Sequence, residues 1–96
     1  MILETAKISI LPDKHQEFEA AVSTAVSQVL TKAHGFISID VLKGIEEQDS
    51  YLLHITWETL EDHTIGFRES ELFVRWREII GPFFAAPPVV THWEIN

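Results

Sequence analysis

The chain reads as an α+β protein in which a four-stranded antiparallel sheet carries helices on one face, and three observations predict it. Four short segments alternate apolar with polar residues, as half-buried strands do. Two stretches between them repeat apolar residues every three to four positions, as helices do, and Pro and Gly stand at the joints. The order is β-α-β-β-α-β, with the second helix split. Residues 1–96 are expected to form a single domain, because a chain of this length buries only about 60–70% of its unfolded surface and has no room for a second core.

From Ile2 to Leu11, residues Ala6, Ile8 and Ile10 fall on one side and Thr5, Lys7 and Ser9 on the other, which gives the first strand. Pro12-Asp13 stops it, and Asp13 followed by Gln16 has the pattern of a helix N-cap with its capping-box partner. The helix that follows gathers Phe18, Val22, Ala25 and Val29 on one stripe, flanked by Ala21, Val26 and Ala33, and ends at His34-Gly35 with a glycine suited to left-handed backbone. Phe36 to Leu42 alternates again, Lys43 to Ser50 reads as a polar hairpin loop, and Tyr51 to Trp57 is a strand whose odd positions are all apolar. Thr59 with Asp62 starts the second helix, Ser70 caps its continuation and Gly81-Pro82 closes it; the last strand runs from Val89 to Ile95. This is a ferredoxin-like arrangement.

Composition narrows the function. A formal charge of −8, with only seven Lys and Arg spread along the chain, repels phosphate backbones and argues against nucleic acid. No apolar run approaches the roughly 18 residues of a membrane span, and no basic and apolar leader opens the chain, so a cytoplasmic location is expected. The lack of cysteine removes disulfides, thiolate nucleophiles and thiolate metal sites together. Glu46, Glu47 and Asp49 read as a solubilising hairpin tip. The sheet face away from the helices is expected to keep Leu3, Leu11, Leu42 and Val90, or their alternates, among its polar groups, too apolar to be left wet, so a second copy should cover it as an isologous homodimer. Lys7, Asp40, His54, Thr56, His92 and Glu94 are expected on that same face, where a partly wet interface is their plainest use. His54 and His92 have no third ligand at a fixed spacing, and no metal site is assigned.

All three tryptophans and four of the six phenylalanines lie between Trp57 and Trp93, and they fill either a core or a pocket lined by it. Trp57-Glu58-Thr59 after the third strand, with the segments HTIGFRES, FVRWR, GPFF and PPVVTHW, resembles the antibiotic biosynthesis monooxygenase family of dimeric α+β barrels over nearly the whole chain. The resemblance implies a pocket between sheet and helices where some members oxidise polycyclic phenols to quinones with O₂ and no cofactor. An electron-rich phenolate can pass an electron to oxygen by itself, so the protein supplies an apolar slot, a base and exclusion of water. Carried onto this chain, the resemblance gives Trp57, Phe67, Phe73, Trp76 and Trp93 as walls for a small aromatic substrate and His63 as acceptor of the phenolic proton.

Plainer readings stand beside these. His63 would be a solvated helix side chain, Phe67, Phe73 and Trp76 a packing stripe, and Arg68 and Arg77 either anion binders or partners of Glu69, Glu71 and Glu78. The apolar, proline-bearing run from Phe83 to Pro88 is expected to pack over the pocket mouth or the dimer seam. A haem-degrading branch of the superfamily uses Asn, Trp and His at positions that align here with Ala6, Phe67 and Arg77, so haem cleavage is not expected. The second functional reading is a non-catalytic binder of a small apolar molecule, separated from the first by whether phenols are turned over.

Overall fold

In the computed structural model, which describes residues 1–96, the strands are β1 (Ile2–Ser9), β2 (Phe36–Lys43), β3 (Ser50–Trp57) and β4 (Val89–Glu94). They form one antiparallel sheet in the order β2-β3-β1-β4, crossed by the helices α1 (His15–Gln28) and α2 (Glu71–Ile80). Single-turn helices punctuate the chain: 3₁₀ turns at Leu30–Lys32 and Gly81–Phe83, and a π-helical turn at Asp62–Phe67. None of the helices is long and apolar enough to cross a membrane.

The hydrophobic pattern places the core. Even residues of β1 and odd residues of β3 share the helix-facing side, where Ala6, Ile8, Ile10, Tyr51, Leu53, Ile55 and Trp57 are buried. Onto them α1 presents Phe18, Val22 and Ala25, and each large apolar side chain removed from water in this way stabilises by roughly 1.5–3 kcal/mol. Gly35 has φ +82°, as expected of a residue that reverses the chain after α1.

Three expectations need correction. Asp13 does not cap α1: it takes φ +62° in the Pro12-Asp13 turn, a conformation Asp tolerates, and the helix starts at His15 behind Lys14 with no side-chain cap. Ser70 does stand before α2, but its hydroxyl donates to the Phe67 carbonyl at 2.6 Å and closes the preceding turn.

The third correction concerns the faces of β4. Lys7, Asp40, His54 and Thr56 do lie on the outer face, but Glu4 opposes His92 and Ile2 opposes Glu94, which puts His92 and Glu94 on the helix side together with Val90. His54 and His92 therefore stand on opposite faces of the sheet. Trp93 opposes Leu3 on the outer face and is 59% exposed. The segment VVTHWE carries bulky apolar residues at both parities, so only its register against β1 decides which set is buried.

Candidate active site

A polar residue in the middle of an apolar sheet face marks the site. Glu4 has the parity of Ala6 and Ile8 and is 5% exposed, flanked across the ladders by Ile55 on one side and His92 on the other. Over it passes the π-helical turn. Thr59 Oγ1 accepts the Asp62 backbone N–H at 3.1 Å, as its sequence position predicts, and the wide turn is closed by an Arg68 N–H to His63 carbonyl bond at 3.0 Å. That winding aims both His63 and Phe67 at the sheet, and both are buried.

The His63 ring is held on every side. It stacks on Trp57 at a centroid distance of 5.3 Å, its Nδ1 lies 2.8 Å from His92 Nε2, and its Nε2 lies 3.3 Å from Glu4 Oε1. The Trp57 indole N–H, a donor only, donates to the same Oε1 at 3.0 Å. Glu4 Oε2 has no partner in the chain, yet it is not sealed off, so it faces the adjoining cavity. Phe67 continues the aromatic layer, edge-on to Phe73 at 5.7 Å and to Trp76 at 6.3 Å.

Burial dominates the electrostatics here. It raises the Glu4 carboxyl from 4.5 to about 7, against the opposing pull of the Trp57 hydrogen bond and the Arg68 charge. Burial also lowers His63 from 6.5 to about 4, reinforced by Arg68 and His92, and it lowers His92 in the same sense. Both shifts favour neutral forms, so the attraction across 3.3 Å does not make Glu4 and His63 an ion pair near pH 7. When Glu4 is ionised, an imidazole lone pair facing its oxygen would be repelled. The neutral ring is therefore assigned its proton on Nε2, with Nδ1 accepting from His92.

Beside this cluster lies a cavity of about 380 Å³ between sheet and α2, walled by Ala6, Ile8, Leu53, Ile55, Phe67, Phe73, Trp76, Ile80 and Val90 and reached by Glu4, His63, Arg68 and Arg77. Phe84 and Pro88 line it as well, so the proline-bearing connector packs against the cavity, tied to the end of β1 by an Ala85 N–H to Ser9 carbonyl bond at 2.8 Å. Its size and mainly apolar lining are those of a small-molecule site.

Of the residues singled out from sequence, His63, Phe67, Phe73 and Trp76 meet at this cavity. Trp57 does not wall it: it is fully buried behind His63, with its indole N–H donated to Glu4. Trp93 lies on the other side of the sheet. Glu4 was not among the sequence candidates, and His92 was considered only on the outer face and as a metal partner of His54, not beside His63. Ala6, Phe67 and Arg77 do come together at the cavity, and none of the three side chains is an iron ligand.

Known proteins share this fold. A Bordetella bronchiseptica crystal structure named for antibiotic biosynthesis monooxygenase superposes with a TM-score of 0.93 at 35% identity, covering 99% of this chain and 96% of its own. The cofactor-independent oxygenase SnoaB of Streptomyces nogalater shares the fold at a TM-score of 0.80 and 10% identity, over 99% and 92% of the two chains. YczJ of Bacillus subtilis (strain 168), an uncharacterized protein, is 37% identical over 94 residues and 98% of each chain. The sequence pattern of the family described as "Antibiotic biosynthesis monooxygenase" matches residues 1–79, and the chain belongs to that family.

Proposed function

We propose that the protein oxidises a small phenolic compound with O₂ in the cavity beneath α2, needing no resident cofactor, with Glu4 receiving the phenolic proton and His63 orienting Glu4. The observation that carries this reading is a carboxyl group on the floor of an apolar cavity with one oxygen directed into it. A carboxyl raised to about 7 is matched to neutral pH and is a stronger base than an ordinary carboxylate, suited to the proton of an acidic polycyclic phenol. His63, held at about 4, is a poorer base, and it lies 3.3 Å from the carboxylate oxygen that the Trp57 indole also holds.

The phenolate then gives one electron to O₂, and the radical and superoxide combine at a ring carbon bearing hydrogen. The proton held by Glu4 returns to the peroxide, and loss of water leaves the quinone carbonyl. One oxygen atom enters the product and the other leaves as water. Phe67, Phe73 and Trp76 hold the ring and keep bulk water from the radical pair. Two copies are proposed to join through the outer sheet faces as an isologous homodimer, supported by the exposure of Leu42, Val89 and Trp93 there.

The test is oxygen uptake and quinone absorbance with anthrone-type and naphthol-type compounds in air. Glu4→Gln is expected to lower kcat by roughly 10²-fold or more, the usual contribution of a positioned base. His63→Ala should lower it less, with a changed pH profile. Undiminished turnover in Glu4→Gln removes Glu4 as the base. Saturable binding of phenols with no quinone from any of them leaves a binding protein.

A further inference from the structure

We infer that the compound this cavity takes carries a carboxylate, gripped at the cavity mouth by Arg68 and Arg77. The inference rests on the reading of the cavity as a site for a phenolic aromatic. In a chain with fifteen acids and seven Lys and Arg, the cations should be claimed first. Lys7, Lys14 and Lys43 indeed each have a carboxylate within 4.0 Å. Lys32 and Arg75 have none, and neither do Arg68 and Arg77, which differ from that first pair in their place. Arg68 and Arg77 line the cavity.

Arg77 is held there by rings, its guanidinium 5.8 Å from the centroids of both Phe73 and Phe84. The Arg68 charge reaches the floor, where it acts on Glu4, His63 and His92. The charged groups of the cavity are thus two guanidinium ions against one carboxyl, a local positive excess in an acidic protein. Two planar forks at an apolar mouth fit a carboxylate better than a neutral group, because each can donate paired N–H bonds to it. The arrangement also orients the ligand. An ionised Glu4 repels a second carboxylate, so the acid end lies at the arginines and the phenol end points to Glu4.

Calorimetric titration with a hydroxynaphthoate and with the naphthol lacking its carboxylate tests this on the intact protein, without turnover. The hydroxynaphthoate is expected to bind at least roughly tenfold tighter, as for hydrogen bonds to charged groups. Arg68→Gln with Arg77→Gln should erase that advantage while leaving the naphthol within about twofold of its wild-type affinity. Equal affinities in the wild type, or an equal loss of both ligands in the variant, overturns the clamp. Tight hydroxynaphthoate binding without oxygen uptake sustains the clamp and removes the oxygenase reading. Oxidation of the naphthol with no preference for the acid does the reverse, and no binding of either removes both.

Discussion

Glu4 and His63 make opposite demands on pH. Because the folded chain holds the Glu4 proton more tightly than the unfolded chain does, its contribution to stability is complete below about pH 4.5 and is lost as pH rises through about 7. His63 behaves inversely: its contribution is complete above about 6.5 and is lost as pH falls through about 4. Raising a carboxyl from 4.5 to about 7 corresponds to about 3 kcal/mol. Glu4→Gln is therefore expected to unfold later than the wild type above pH 7, by up to about 3 kcal/mol, and to differ little near pH 4.5. Denaturant titrations at the two pH values check this, and a variant no more stable in alkali than the wild type would mean that the carboxyl is solvated. The oxidation rate should rise with pH as Glu4 ionises near 7. Glu4 was legible in principle, since an acid sharing the parity of Ala6, Ile8 and Ile10 breaks a buried pattern. A charge near the start of a strand is ordinarily wet, however, and its partners Trp57, His63 and His92 meet it only through strand register and the helical return.

Within the elements, the return from β3 to α2 sets the position of His63. Thr59 holds its first turn, so Thr59→Ala should cost about 1 kcal/mol in thermal unfolding and reduce turnover by loosening His63 over Glu4. Gly35 sits against the same turn: a Cβ built on it would lie 2.1 Å from Asp62 Oδ2 and 2.6 Å from Asp62 Cβ, on backbone already at φ +82°. Gly35→Ala is expected to destabilise by more than about 1 kcal/mol, again read by thermal unfolding, and an unchanged melting temperature would show that the Asp62 side chain simply swings aside. Periodicity located these elements well: the stripe Phe18, Val22, Ala25 and the odd positions of β3 are buried as the sequence reads. Periodicity did not reveal the π-helical winding, which depends on one extra residue per turn, nor the facing of β4, where both parities are apolar.

At the scale of the molecule, one face of the sheet is finished and the other is not. The helix side is closed by α1, α2 and the proline-bearing connector, whereas Leu42 and Trp93 are 43% and 59% exposed on the outer side. If a second copy covers that face, Trp93→Lys should shift the protein toward monomer in sedimentation velocity without unfolding it, and a wild type already monomeric at micromolar concentration would remove the dimer. The overall architecture was open to sequence reading because it needs only element order and alternation. The cavity was less so, because its walls come from β1, β3, β4, α2 and the connector, and no local pattern reports their convergence. The three tryptophans, for their part, occupy three distinct settings: Trp57 sealed behind His63, Trp76 at the cavity wall and Trp93 on the outer face. Proteins retaining one indole at a time would emit from three separate vantage points, so a spectral change could be traced to loss of the buried layer, to an occupied cavity or to self-association.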